Sequence, residues 1–221
     1  MLKAVIFDMD GVLVDSEPLH FSAYQKMFKD YQLQVSETLY QSFTGQATLE
    51  ICQQLVDKFN LKIRAEELVE TKRYYFKQLL EESQDFKLIQ GVKPLIQNYH
   101  DAGLNLVLAS SASRVTINRI FKRFDLDPYF SAKFSGADLK ASKPHPEIFI
   151  KATQSTGFTN KNCMVIEDAE NGVLAAKRAG LFCVGFVSPH SKNQDLSQAD
   201  LRIQDFNEIY FSQIKTFFER E

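Results

Sequence analysis

The stretch of sequence that decides the fold is Lys3-Ala4-Val5-Ile6-Phe7-Asp8-Met9-Asp10-Gly11. Up to Phe7 it is a short apolar run rich in β-branched and aromatic residues, which predicts a buried β-strand. Asp8 and Asp10 follow at the carboxyl end of that strand, where α/β sheets place their active sites. Gly11 then permits a sharp turn of the chain. The opening of the sequence therefore predicts an α/β fold with carboxylates at one edge of the sheet.

The rest of the sheet is predicted from similar apolar runs at 104–109, 132–135, 164–166 and 182–186, with a short edge strand at 201–203. Segments with helical periodicity lie between them, for example 115–124 and 147–156, and a final amphipathic helix is expected over 206–218. Alternation of strand and helix is typical of a parallel sheet covered on both faces. We expect a Rossmann-like core of three layers, α/β/α.

Residues 16–85 differ from the rest because they show helical spacing and no strand pattern. This segment follows the first strand and precedes the other strands. We therefore expect a helical-bundle cap domain at 16–85, inserted into an α/β core formed by 1–15 and 86–221.

The bulk composition excludes several classes of partner. With 26 basic and 28 acidic side chains among 221 residues, the formal charge of −2 offers no general attraction for nucleic acid or an anionic membrane. No apolar run approaches the roughly 18 residues that span a bilayer. The three cysteines show no disulfide or zinc spacing, which favours a reducing cytoplasm. The expected partner is a small molecule, and a monomer is the default assembly.

The carboxylates of Asp8 and Asp10 indicate a cation site, because two acids this close repel each other unless a positive charge lies nearby. A hard divalent cation with oxygen ligands would satisfy both and would screen an incoming phosphate. The alternative is that these residues only form the turn after the strand, since Asp and Gly favour turns.

Two further motifs suit phosphate binding. Ser110 and Ser111 follow an apolar strand where the next helix should begin, and hydroxyls and backbone N–H groups there favour a phosphate. The alternative is that Ser111 or Ser113 only caps the helix. In Ser142-Lys143-Pro144-His145-Pro146, the prolines restrict where Lys143 points. Lys143 could neutralise phosphate and Asp8 together, or it could be an ordinary solvated lysine.

A second strand also ends in acids, Glu167 and Asp168, followed by Asn171-Gly172. Acids at two strand ends can converge on one cation. Alternatively, Asp168 caps the following helix and Gly180 ends it.

In this order the motifs resemble those of the haloacid dehalogenase superfamily, and within it the β-phosphoglucomutase-like phosphatases with a helical cap after the first motif. The resemblance covers essentially the whole chain and implies covalent phosphoryl transfer. By that resemblance, Asp8 would be the nucleophile that forms an aspartyl-phosphate, and Asp10 would be the general acid and base. Ser110 and Lys143 would bind the transferring phosphoryl group, assisted by backbone N–H groups near Ser111 and by Gly11.

The resemblance also implies Mg²⁺ as the cofactor, held by the Asp8 carboxylate, the Asp10 backbone carbonyl and Asp168. Glu167 would be a further ligand, either directly or through water. Dehalogenation is disfavoured because the dehalogenases lack the second aspartate that stands here as Asp10.

The cap should separate a hydrolase from a mutase. In the mutases, a lysine and an arginine four residues apart hold the second phosphate of the sugar. Their positions here are Thr44 and Thr48, which with Gln46 offer uncharged hydrogen bonds. Losing two charged hydrogen bonds, worth roughly 1.5–3 kcal/mol each, disfavours the mutase. His20 also matches a substrate-contacting position but does not discriminate between the two.

The sequence therefore predicts a magnesium-dependent phosphatase acting on a small phosphorylated metabolite, with a sugar phosphate as the favoured class. A β-phosphoglucomutase-type mutase is the alternative. A non-catalytic binding module is the third alternative, and it is disfavoured because all the motif residues that turnover requires are retained.

Overall fold

A computed structural model describes residues 1–43, 46–188 and 194–219. Among these residues, the chain forms six strands and nine α-helices, joined in places by short 3₁₀ turns. The strands are β1 (Ala4–Phe7), β2 (Asn105–Ser110), β3 (Phe130–Ser135), β4 (Cys163–Glu167), β5 (Phe182–Phe186) and β6 (Leu201–Ile203). The helices are α1 (Glu17–Asp30), α2 (Glu37–Gln41), α3 (Thr48–Phe59), α4 (Ala65–Glu82), α5 (Val92–Asp101), α6 (Arg114–Arg123), α7 (Glu147–Thr156), α8 (Glu170–Arg178) and α9 (Phe211–Ile214).

The six strands form one parallel sheet in the order β3-β2-β1-β4-β5-β6. β1 lies between β2 and β4, with Phe7 paired to Leu108 on one side and to Ile166 on the other. The backbone N–H of Asp8 continues this pairing by donating to the Ile166 carbonyl at 3.0 Å. Parallel strands end at one edge, so the carboxyl ends of β1, β2 and β4 lie side by side.

Helices cover both faces of the sheet. On one face, side chains of β1 such as Ile6 pack with Phe149 of α7 and Val173 of α8. On the other face, the ring of Phe7 lies against Tyr99 of α5 and against Phe130. Alternate residues of β1 thus face opposite layers and are all buried. The predicted Rossmann-like three-layer α/β/α core with a parallel sheet is confirmed.

The chain divides into two compact units, one of Met1–Asp15 with Lys87–Glu221 and the other of Ser16–Phe86. The second unit contains α1 to α4, and its own core brings together side chains such as Met27, Leu55 and Leu68. α1 and α3 both pack on α4. None of the helices in the described part of the chain combines the length and the apolar character needed to cross a bilayer.

The predicted helix over 206–218 is wrong. Residues Phe206–Ile209 form a 3₁₀ turn, because Asp205 and Glu208 make a reciprocal capping arrangement around it. Tyr210 then adopts an extended conformation with ψ of 156°, which interrupts the helix before α9 begins. The apolar side chains Phe206, Ile209 and Ile214 are nevertheless buried. The spacing of apolar residues therefore indicated burial correctly, but it did not indicate that the helix is interrupted.

Candidate active site

Asp8 lies at the carboxyl end of β1 with its carboxylate buried, only 7% exposed. The chain turns sharply after it, since Val12, Leu13 and Val14 all direct their backbone N–H groups to the Met9 carbonyl. Gly11 has a φ of +83°, so the turn needs a residue that tolerates the left-handed region. The turn therefore holds Asp8 at the strand end and carries Asp10 and Gly11 around the same edge.

Lys143 reaches this edge from the loop before α7, and it is 6% exposed. Its Nζ donates to Asp8 Oδ1 at 2.6 Å, to Glu167 Oε1 at 2.7 Å and to the Ala109 carbonyl at 3.0 Å. One buried ammonium thus joins the ends of β1, β4 and β2. The alternative of an ordinary solvated lysine is wrong, because its charge is taken up by two buried carboxylates.

Glu167 and Asp168 end β4 beside Asp8. Glu167 is 2% exposed, and its Oε2 accepts the backbone N–H groups of Asp168 and Ala169 at 2.9 and 3.1 Å. Asp168 Oδ2 accepts the hydroxyl of Ser188 at 3.3 Å. The residue that caps α8 is Ala169, so the alternative that Asp168 serves as the helix cap is wrong.

Two glycines allow the backbone to approach these acids. A Cβ placed on Gly11 would lie 2.0 Å from Asp168 Oδ2, and one on Gly172 would lie 1.9 Å from the Glu167 carboxyl carbon. Neither separation is possible for real atoms, so both positions exclude any larger side chain unless the carboxylate moves. The turn after β1 and the first turn of α8 therefore enclose the acidic residues closely.

The ligand oxygens of Asp8, Glu167 and Asp168 all lie within 4.8 Å of one another, which makes this cluster a candidate cation site. Both carboxylate oxygens of Glu167 accept hydrogen bonds, one from Lys143 and the other from backbone N–H groups. Asp8 Oδ2 and Asp168 Oδ1 accept no hydrogen bond from any residue the structure describes, and both are hard oxygen donors. The donor set fits a small divalent cation such as Mg²⁺, which takes one or two carboxylates together with water and phosphate oxygens.

Burial controls the protonation of this cluster. Burial, together with the charges of Glu167 and Asp10, raises the pKa of Asp8 to about 7 even though Lys143 acts in the opposite direction. Burial and the neighbouring carboxylates also raise the pKa of Asp168. For Lys143, burial alone would lower the pKa, but the charges of Asp8 and Glu167 more than offset this and raise it. Lys143 is therefore charged, and the acids need a further positive charge to be ionised together.

The predicted phosphate loop follows β2. Ser110 is fully buried, and its Oγ accepts the backbone N–H of Ala112 at 3.1 Å. Ser111 is exposed, and Ser113 is the residue that caps α6 by accepting the Thr116 N–H at 3.3 Å. Of the two capping alternatives, Ser113 is confirmed and Ser111 is not. His145 accepts the Glu147 N–H at 3.3 Å.

The predicted cap residues lie in the unit Ser16–Phe86. His20 is half-buried on α1, where its ring stacks on Phe76 and its Nδ1 lies 2.7 Å from Lys72 Nζ. Gln46 donates to the Ser42 carbonyl and accepts from Gln54, and Thr48 is the first residue of α3. Thr44 lies outside the described residues.

Sequence reasoning missed Ser188 and Gly172 as neighbours of the acidic cluster. Ser188 follows β5 by two residues, and the same strand-end rule that selected Asp8 and Glu167 could have selected it. The contact of Gly172 with Glu167 depends on how α8 turns back over β4, which no local pattern records.

The family model of the haloacid dehalogenase-like hydrolases matches residues 5–186, which is most of the chain. The chain belongs to the haloacid dehalogenase-like hydrolase family.

The chain is similar to proteins named as phosphatases and as phosphoglucomutases. A phosphorylated carbohydrates phosphatase of Thermotoga maritima is 32% identical over 184 residues, covering 81% of this chain and 82% of the relative. A β-phosphoglucomutase of Bacillus subtilis is 26% identical over 213 residues, covering 94% and 92%. The solved β-phosphoglucomutase of Clostridium difficile shares the fold, with a TM-score of 0.85, 24% identity and coverage of 99% and 97%. The prediction of a phosphatase or phosphosugar mutase of the β-phosphoglucomutase-like type is confirmed at that level.

Proposed function

We propose that this hydrolase uses Mg²⁺ to hydrolyse a small phosphorylated metabolite, with a sugar phosphate as the favoured class, through a phosphoaspartate on Asp8. The observation that carries this is the pair formed by the buried Asp8 carboxylate and Lys143 Nζ, 2.6 Å apart beside two more acids. A carboxylate that only stabilised the fold would gain little from this position, because burial and the charges of Glu167 and Asp10 raise its pKa and disfavour its ionised form. A nucleophile that receives phosphate beside a cation needs this arrangement.

In the first step, an Asp8 carboxylate oxygen attacks phosphorus, and the bond from phosphorus to the substrate oxygen breaks. Asp10 gives its proton to that leaving oxygen, which departs as an alcohol. In the second step, Asp10 takes a proton from water as the water oxygen attacks the same phosphorus. The Asp8–phosphorus bond then breaks, and inorganic phosphate is released with Asp8 regenerated.

The other core residues position the phosphoryl group. Lys143 neutralises Asp8 before the reaction and binds a phosphoryl oxygen during it, while the Ser110 hydroxyl and the N–H groups near Ser111 and Gly11 supply further donors. When bound, Mg²⁺ supplies Lewis-acid stabilisation of the charge that develops on these oxygens. Asp8, Asp168 and the Asp10 backbone carbonyl would hold it. The hydrogen bonds of Glu167 favour a role in holding Lys143, with any contact to the ion made through water.

Substrate choice is assigned to the cap at 16–85, through His20, Thr44, Gln46 and Thr48. We propose that the cap closes over the substrate and excludes bulk water until transfer is complete. Uncharged residues at Thr44 and Thr48 favour a substrate with one phosphate over a bisphosphate intermediate. The name of the Thermotoga maritima relative supports a phosphorylated carbohydrate. A reducing cytoplasm remains the expected compartment, and all three cysteines are free and buried.

A phosphosugar mutase is the second candidate, favoured by the resemblance to the Bacillus subtilis β-phosphoglucomutase along most of both chains. The two reactions share the first step and differ in whether water or a sugar hydroxyl accepts the phosphoryl group. Basic residues of the cap such as Lys72 or Arg73 would have to hold a second phosphate.

The deciding experiment is a screen of phosphorylated metabolites with Mg²⁺ that measures release of inorganic phosphate. In parallel, β-glucose 1-phosphate with a bisphosphate primer is assayed for glucose 6-phosphate. The proposal expects phosphate release from at least one sugar phosphate. Isomer without phosphate would instead establish the mutase, and no reaction with any substrate would contradict both.

A further inference from the structure

The loop after β5 contacts the acidic turn at the end of β4. Ser188 is 1% exposed, and its Oγ donates to Asp168 Oδ2 at 3.3 Å. The backbone N–H of Ser188 donates a hydrogen bond to the Phe186 carbonyl at 3.0 Å, which fixes the backbone at this position. The hydroxyl is therefore presented to Asp168 from the end of a buried strand, the kind of rigid support from which side chains are positioned accurately.

A second side chain, farther along the sequence, contacts the same turn. Gln194 Oε1 accepts the backbone N–H of Glu170, the first residue of α8, at 2.9 Å. The side chains of Ser188 and Gln194 thus contact this turn at Asp168 and at Glu170, where α8 begins.

Asp168 is also confined by the turn after β1. Because a Cβ on Gly11 would lie 2.0 Å from Asp168 Oδ2, the Gly11 backbone lies directly against this oxygen. Oδ2 therefore lies close to the Gly11 backbone and also accepts the Ser188 hydroxyl. Oδ1 accepts no hydrogen bond from the described residues, and one oxygen of this carboxylate lies within 4.8 Å of an oxygen of Asp8 and an oxygen of Glu167.

We propose that Ser188 is a positioning residue that orients the Asp168 carboxylate for a divalent cation. By donating to Oδ2, the hydroxyl fixes the rotation of the carboxylate and leaves Oδ1 to bind the ion. This inference rests on the proposed function, because it requires Asp168 to be a ligand. Hydrogen-bond partners of metal ligands contribute about 10–100-fold to metal affinity or activity.

The test measures Mg²⁺ binding directly by isothermal titration calorimetry on the full chain without substrate. Ser188→Ala is expected to raise the Kd for Mg²⁺ at least about tenfold, while Ser188→Thr, which keeps the hydroxyl, stays near the wild-type value. The Mg²⁺ concentration for half-maximal hydrolysis of p-nitrophenyl phosphate should rise in parallel for Ser188→Ala. Because excess Mg²⁺ compensates for weak binding, kcat at saturating Mg²⁺ should change far less.

Thr153→Val is the matched control, since Thr153 is also a buried hydroxyl but makes no hydrogen bond through Oγ1 to the described residues. It should bind Mg²⁺ as the wild type does. If Ser188→Ala does not fold, Ser188→Cys takes its place and is expected to raise the Kd for Mg²⁺ in the same way. The cysteine side chain has nearly the volume of serine, but its thiol is a weak hydrogen-bond donor.

A rise in the Kd for Mg²⁺ of less than about tenfold for Ser188→Ala would overturn the inference. If the wild type binds Mg²⁺ and turns over substrate while Ser188→Ala binds equally well, only the role of Ser188 fails. A wild type that hydrolyses no phosphate ester would instead overturn the proposed function.

Discussion

Lys143 Nζ lies 2.6 Å from Asp8 Oδ1, a contact between two buried side chains 135 residues apart in the sequence. The same ammonium also lies 2.7 Å from Glu167 Oε1. One cation therefore compensates two buried carboxylates, and Asp168 adds a third acid to the cluster. The site is rich in negative charge, so its chemistry and its stability both depend on the positive charges it receives.

Asp8→Asn should abolish turnover of phosphate esters, because the amide cannot act as the nucleophile. The expected loss is at least about 10³-fold in kcat, measured by release of inorganic phosphate at saturating Mg²⁺. The fold should remain, since the change is isosteric and removes a buried charge. Asp127→Asn, at an exposed carboxylate paired with Lys133, is the control and should keep full activity. Substantial turnover by Asp8→Asn would exclude a phosphoaspartate at this position.

Lys143→Met should destabilise the protein as well as inactivate it, because Asp8 and Glu167 would lose their buried partner. Breaking a buried pair typically costs about 3–5 kcal/mol in free energy of unfolding. The measurement is urea unfolding without divalent cations. Lys151→Met removes an ion pair of similar length, 2.7 Å from Glu147, but on the surface of α7. Its cost should stay below about 1 kcal/mol. Equal costs for the two variants would contradict the assigned role of burial.

Gly11→Ala should reduce both stability and affinity for Mg²⁺, since the new Cβ would displace the Asp168 carboxylate. Gly103→Ala is the matched control, because Gly103 also has a positive φ but has no atoms within 4 Å of the added Cβ. The control measures only the loss in free energy of unfolding from placing a non-glycine residue at positive φ, about 1–2 kcal/mol, and it should leave Mg²⁺ binding unchanged. Denaturant unfolding and calorimetric titration measure the two effects separately. Indistinguishable behaviour of both variants would remove Gly11 from the site.

The stabilising effect of Mg²⁺ should increase with pH. In the metal-free folded protein, burial raises the pKa of Asp8 from 3.8 to about 7 and also raises that of Asp168. Between the unfolded and the raised folded pKa of each carboxyl group, the folded state binds more protons than the unfolded state. Asp8 and Asp168 therefore contribute less to the free energy of unfolding as pH rises through this range. Mg²⁺ must displace the protons at low pH but finds ionised carboxylates above the raised pKa.

The gain in Tm from saturating Mg²⁺ should therefore be larger at about pH 8 than at about pH 5.5. Differential scanning fluorimetry at the two pH values gives the comparison. Asp168→Asn should reduce the gain at the higher pH. A gain that does not depend on pH would show that these carboxylates do not bind the ion.

The three cysteines should not react in the folded protein. Burial raises the pKa of Cys52 to about 12 and also raises the pKa of the Cys163 and Cys183 thiols, so little reactive thiolate forms near neutral pH. A chromogenic disulfide reagent should label none of the three before unfolding and all of them in denaturant. Rapid labelling of the folded chain would show that at least one thiol is accessible.

Much of the fold could be predicted because the strand signals are local. The run ending at Phe7 is apolar on both faces, which is what a strand inside a doubly covered sheet requires. The strand from Phe182 to Phe186 and the helix from Glu147 to Thr156 also have the predicted bounds. The failure at residues 206–218 has a local cause as well, since apolar spacing does not reveal the extended backbone at Tyr210.

The identities of Asp8, Ser110, Lys143 and Asp168 as candidates were determined by the sequence alone, because carboxylates, hydroxyls and a proline-flanked lysine stand where strands and loops end. Only the tertiary structure decided how they are paired. That Lys143 holds Asp8 and Glu167 together depends on β1, β2 and β4 being neighbours, a long-range property of sheet order. Whether an acid caps a helix or faces a cation depends on backbone conformation and on atoms distant in sequence, and no spacing of residues encodes these contacts.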